Sequence, residues 1–185
     1  MKVQKLTVTF VSADQKMKKQ EAKTEFIHTW GILGSQWGIN RSMAQIHALL
    51  LMTKNAMSTE EIMAELQLSR GNANMNIREL MNWNLIYKQI KAGDRKEYFI
   101  AEHDIWTVAT RVVTERKRRE LAPAIDLVER IKNDELDGRQ DEESAHIKNM
   151  VGKLGDFLNK MDKLSEFMLK AEQNVVFRLI LKQLK

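Results

Sequence analysis

The chain has 185 residues, 43% of them hydrophobic and 30% charged, which is enough apolar material for a core in one domain or two small ones. A single Pro and 8 Gly suggest a helical, loop-poor chain, and the net charge of +5 with a pI near 9.4 permits a polyanionic partner. With no cysteine, disulfides and thiolate metal sites are excluded; with no apolar leader-like segment and no run of ~20 apolar residues, a soluble cytoplasmic protein is expected.

Met1–Ala13 reads as a weak strand or a loose arm, because Val3, Leu6, Val8, Phe10 and Val11 alternate only in part. Asp14 is the candidate N-cap of a helix running to about Leu33. Gly31, Gly34 and Gly38 punctuate the next stretch, where Trp30-Gly31 recurs as Trp37-Gly38. Asn40 then caps a helix through about Thr53, with Met43, Ile46, Leu50 and Leu51 at helical spacing. Ser58-Thr59-Glu60-Glu61 has the form of a capping box opening a short helix whose apolar side is Ile62, Met63 and Leu66. Gln67-Leu68 makes the turn, and Ser69 caps a second helix from Arg70 to Trp83. Leu85–Ile90 and Arg95–Ala101 favour strand, with Lys91–Asp94 as the turn between them.

From Asp104 the chain turns helical again, with Ile105, Val108, Val112 and Val113 on one face. Pro123 kinks this helix or starts a new one, since it lacks a donor and its ring crowds the preceding turn. Lys132–Glu143 reads as a solvated loop. Ile147–Ala171 carries heptads, with Ile147, Leu154, Met161 and Met168 in one seam position and Met150, Phe157, Leu164 and Ala171 in the other. Such a seam calls for a partner helix, from the same chain or from a second subunit. A last short helix, capped by Asn174, ends the chain.

The order helix, turn, helix, strand, turn, strand over Ser58–Ala101 is that of a winged helix. On the second helix, Ala73, Ile77, Leu80 and Met81 share the core face, while Gly71, Asn72, Asn74, Met75, Arg78 and Asn82 lie on or beside the other. Asn pairs bidentately with adenine and Arg with guanine in the major groove, so Asn72, Asn74 and Arg78 are candidate base readers beside Met75. Ser58, Thr59, Ser69 and Arg70 are candidates for holding the phosphate backbone at the helix N-termini. Lys91, Arg95 and Lys96 belong to the candidate wing, suited to phosphates or the minor groove. Five Asn between Asn72 and Asn84 are hard to justify for stability, because Asn is a mediocre helix former.

Leu68-Ser69-Arg70-Gly71-Asn72-Ala73-Asn74-Met75-Asn76-Ile77-Arg78-Glu79-Leu80, then Trp83, then Gly93-Asp94-Arg95-Lys96-Glu97-Tyr98-Phe99, resembles the GbsR-type branch of the MarR winged-helix regulators. Trp37-Gly38 and Trp106 resemble that branch too, and the likeness is strongest from about Phe26 to Trp106. It implies a homodimer on double-stranded DNA, dimerisation through N- and C-terminal helices, and control of transcription, as a repressor. The sequence departs where Ala73-Asn74 replaces a frequent Val-Ser and where Asn84 stands at a usual Gly. Because members of this branch sense choline, the resemblance also raises a quaternary-amine effector, held in an aromatic cage to which Phe26, Trp30, Trp37 and Trp106 could contribute. The alternative for these rings is core packing.

The expected architecture is therefore mostly α with a small β-hairpin wing: an arm over 1–13, a helix and Trp-Gly junction over 14–39, a winged helix over 40–103 and a helical dimerisation region over 104–185. No catalytic, cofactor or metal site is expected, as His28, His47, His103 and His146 are scattered and no phosphate-binding loop appears. The rival reading is a winged helix used for protein contacts, since fold alone does not settle function.

Overall fold

The structure, a computed structural model, describes residues 18–133 and 141–173. The elements in order are α1 (Lys19–Gln36), α2 (Arg41–Leu51), β1 (Met57–Ser58), α3 (Thr59–Leu66), α4 (Arg70–Asn82), β2 (Ile86–Gln89), β3 (Tyr98–Ala101), α5 (Ile105–Arg116), a π-helical segment (Lys117–Leu121), α6 (Ala122–Asn133) and α7 (Glu142–Gln173). This is a winged helix carried between helical extensions. The expected arm over 1–13 and the final helix capped by Asn174 lie outside the described residues.

Local signals set most boundaries. Asn40 Oδ1 accepts from the backbone N–H groups of Ser42 (2.9 Å) and Met43 (3.2 Å), and Asp104 Oδ1 does the same for Trp106 and Thr107. The box at Ser58 is closed: the Ser58 N–H donates to Glu61 (2.6 Å), and the Glu61 N–H donates to the Ser58 hydroxyl (3.3 Å). α1 starts later than Asp14 suggested, at Lys19, where Glu21 accepts from the Lys18 N–H, and it continues past Leu33 to Gln36.

Three helices stop in the same way. After α1, α3 and α4 a residue turns left-handed, at Gly38 (φ 75°), Gln67 (φ 53°) and Asn84 (φ 56°). The next N–H then reaches back five residues, as from Leu85 to the Leu80 carbonyl (2.9 Å). Asn is tolerated in this conformation where most side chains are not, so Asn84 does the work of the glycine it replaces.

The sheet is antiparallel in the order β1-β3-β2, with Ile86 opposite Ala101 and Gln89 opposite Tyr98. Its third strand, β1, was not foreseen: two residues give no alternation to read, and pairing with β3 creates it. β3 is also shorter than expected, because Arg95–Glu97 belong to the wing loop.

Pro123 neither breaks the helix nor starts a separate one. The π-helical turn before it widens the ladder, with the Ala122 N–H bonded to the Lys117 carbonyl, and the helix runs on through α6. α6 ends at Asn133 and α7 begins beside Asp141, which narrows the expected loop to 134–140, outside the described residues. α7 folds back on α6, and Gly155 permits close approach: a Cβ there would meet Val128 at 3.0 Å and the Lys132 side chain at 2.5 Å. The heptad seam is left outward: Ile147, Met150, Leu154, Phe157, Met161, Leu164 and Met168 are all exposed, whereas Ala171 lies where side chains are not described.

The core lies between α1, α2, α4, the sheet and α5, with Ile46, Leu49, Leu50, Ile62, Ile77 and Phe99 almost wholly buried. α1 reaches it through a glycine seam, where a Cβ on Gly34 would sit 2.5 Å from the Cβ of Ala44. Gly34→Ala is expected to force the helices apart and destabilise the protein by about 1–3 kcal/mol in chemical denaturation. His47 is buried in the same core, and desolvation lowers its pKa from 6.5 to about 4. The unfolded chain therefore takes up this proton first as the pH falls. The stability His47 contributes is complete above about pH 6.5 and drains away towards pH 4, by about 3 kcal/mol. Urea unfolding across this range should show that loss, and His47→Leu should lack it.

Candidate nucleic-acid interface

α4 is poorly built to fold alone: Asn and Gly cost helix stability, and no acid occupies its first turn. Packing holds it. Ala73, Ile77 and Leu80 are buried, Met81 is half-buried, and Leu85 closes the helix end against Leu80. The opposite face exposes Gly71, Asn74, Met75, Arg78 and Asn82. Met75 keeps 59% of its surface open, and a Cβ on Gly71 would meet nothing within 4 Å. Asn74 and Arg78 make no side-chain hydrogen bond or ion pair among the described residues.

Four of the five Asn have structural work, which corrects the argument from their number. Asn76 is buried and donates to both the carbonyl and the Oδ1 of Asn72, at 2.8 and 2.6 Å. Asn72 in turn donates to the Ser42 hydroxyl (3.1 Å), so the expected base reader is half-buried and clamps α4 to the start of α2. Asn82 donates to Glu79 (3.2 Å), and Asn84 supplies the left-handed stop. Asn74 alone of the five remains free for a ligand.

The expected backbone-holding residues divide likewise. Ser69 is exposed at the start of α4, with its hydroxyl accepting from the Asn72 N–H at 3.4 Å. Arg70 is exposed beside it and pairs with Glu60 of α3 at 3.0 Å, a surface pair that a phosphate could displace cheaply. Thr59 is half-buried as the first residue of α3. Ser58 is 2% exposed and its hydroxyl donates to Glu61 (2.9 Å), so it caps α3 and offers no surface to a phosphate.

The wing is braced around Asp94, which accepts from the Lys96 N–H (2.9 Å) and the Tyr98 hydroxyl (2.6 Å). The Tyr98 bond holds the Asp94 carboxyl below its usual range and pushes the Tyr98 hydroxyl up to about 12. Lys91 Nζ sits 3.6 Å from the centroid of the Tyr98 ring, and Lys88 pairs with Glu97 across the hairpin. Lys91, Arg95 and Lys96 are exposed, and none forms a salt bridge among the described residues. Lys91 and Lys96 are near enough to Glu61 to help lower its pKa, behind the larger effect of its bonds from Ser58.

A second polar cluster, not read from the sequence, ties the end of α4 to the π-helical segment. Arg119 pairs with Glu79 (2.6 Å) and Glu115 (3.1 Å) and lies 5.2 Å from the centroid of the Trp83 ring. Glu79 also accepts from Trp83 Nε1 (3.0 Å). Desolvation works to raise the Glu79 pKa, but the bonds from Arg119, Trp83 and Asn82 outweigh it and lower it. Arg111 of α5 bonds the Asn84 carbonyl and the Tyr87 hydroxyl, anchoring the base of the wing. Spacing could not have paired Glu79 with Arg119, which lie forty residues apart on different helices.

The four expected cage rings do not converge. Phe26 stacks on Trp30 at 5.3 Å and borders a separate surface groove. Trp30 and Trp37 line an apolar cavity together with Trp83, a ring outside the expected set, and Trp106 is not among its walls. Among the described residues, no three His, Asp or Glu are grouped to hold a metal ion, and no helix is long and apolar enough to cross a membrane.

No family model matches the chain. The HTH-type transcriptional repressor GbsR of Bacillus subtilis (strain 168) is 26% identical over 98 residues, which cover 53% of this chain and 54% of that protein. The chain thus spans about half the length of the curated relative it matches. A crystal structure of a transcriptional regulator superposes with a TM-score of 0.63 over 83% of this chain and 99% of that one; at 20% identity the likeness is one of fold. The sequence match to a GbsR repressor and the shared fold together support a GbsR-type regulator built on a winged helix.

Proposed function

We propose that this protein is a sequence-specific DNA-binding repressor of transcription that acts as a homodimer on a near-palindromic operator. The observation that carries this reading is the free face of α4: Gly71, Asn74, Met75 and Arg78 are exposed on a helix whose other polar residues are engaged within the fold. Arg78 has the reach and the fork geometry for guanine, and Asn74 the amide for adenine. Arg70, Arg95 and Lys96 border that face and supply sequence-independent affinity through phosphates. The exposed seam of α7 supports a second copy as partner, because seven large apolar residues in heptad register otherwise face water. Two-fold pairing puts the two α4 helices in successive major grooves, about one helical turn apart.

Arg78→Ala is expected to relax base preference at one position per half-site, costing about 1–3 kcal/mol on the preferred operator and little on random DNA. Equal loss on every sequence in binding titrations would place Arg78 on the backbone instead. Arg95→Ala is expected to weaken binding uniformly and to lower the slope of log affinity against log salt by about 1. A salt-independent affinity would favour the protein-contact reading. Gly71→Ala separates folding from binding: it should leave the protein equally stable, or up to about 1 kcal/mol more stable, while DNA affinity falls. Leu154→Glu with Phe157→Glu should turn a dimer into a monomer in light scattering.

A further inference from the structure

Between α1, α2, α5 and the end of α4 lies a cavity of about 80 Å³. The indoles of Trp30, Trp37 and Trp83 and a set of aliphatic side chains form its walls, and His47 is the one ionisable residue among them. Trp37, 60% exposed, stands at the surface, where a ligand could enter. His47 is 5% exposed, and its Nε2 is buried with no hydrogen-bond partner among the described residues.

Two deficits meet here. A buried polar nitrogen left unpaired is costly, and native folds seldom keep one without a use for it. An empty apolar void forfeits the dispersion contacts its lining could make. Water serves neither need well, since a buried water wants two to four polar partners and these walls are almost entirely apolar. No carboxylate lines the cavity, so a cation would be desolvated without a counter-charge. Burial keeps the imidazole neutral at pH 7, so an anion gains no opposite charge either. A hydroxyl suits either tautomer of the ring, because it can donate to a bare Nε2 or accept from a protonated one.

We propose that this cavity binds a small, neutral, largely apolar molecule bearing a single hydroxyl, which hydrogen-bonds to His47 Nε2 while its body packs against the three indoles. The assignment rests on the cavity and His47 and not on the DNA-binding reading, so the two fail separately. An occupant also touches the end of the recognition helix and the residue after it, through Leu80, Trp83 and Leu85.

Titrating the full chain, labelled with 15N in histidine, tests this, with phenol as probe and benzene and tetramethylammonium as comparators. Phenol is expected to move the assigned His47 ring-nitrogen signals saturably and to bind about tenfold more tightly than benzene, the difference one hydrogen bond supplies. In His47→Leu, phenol and benzene should bind alike. Should that variant fail to fold, the comparison on the unaltered chain decides. Unmoved His47 signals, equal affinity for phenol and benzene, or preference for tetramethylammonium would overturn the proposal.

Discussion

The burial of α2 governs the rest of this structure. Seven of its eleven residues are buried, including the unbroken run Ile46–Leu50. A helix apolar all round must be covered on every side. α1, α3, α4 and β3 all pack on it. Each covering element carries an adaptation to that contact: Gly34 in α1 for close approach, Ala73 and Ile77 in α4, and Phe99 in β3. The recognition helix is therefore stabilised from below, and its outer face is free to carry residues that weaken an isolated helix. The Ser42–Asn72–Asn76 bonds fix its start, and the left-handed stop at Asn84 fixes its end.

Polar contacts then connect that helix to the rest of the chain. Glu79 and Trp83 hold Arg119, which shares Glu115 with Arg118, and Lys117 bridges to Asp162 and Glu166 of α7. All three basic residues lie in the π-helical turn that accommodates Pro123. The wider turn lets consecutive basic residues serve two directions, inward to α4 and outward to α7. A shift of α7 thus has a material route to the end of the recognition helix, although coupling itself requires two arrangements of these contacts that a ligand or partner can tell apart.

Some of this was legible because its causes are local. Asn40, Ser58, Ser69 and Asp104 cap helices through bonds that span two or three residues, so spacing alone announces them. Arg78 and Met75 could be placed outward from periodicity. The candidate interface was less legible where one residue type has several uses. Asn72, Asn76, Asn82 and Asn84 look like base readers in a count, yet their partners within the fold engage them. Ser58 shows the same limit: its motif reads clearly, but whether it faces solvent depends on β1 pairing with β3.

The sequence by itself determined the order of elements, the helix caps, the apolar faces and the heptad seam, because these follow from hydrogen bonds and periodicities spanning a few residues. Tertiary structure decided which polar groups remain free. It joined Glu79 to Arg119, turned Asn72 inward, left the α7 seam exposed and enclosed His47 beside three indoles. Those outcomes depend on contacts between residues distant in the chain, and burial assigns each polar group to a partner only when the helices come together.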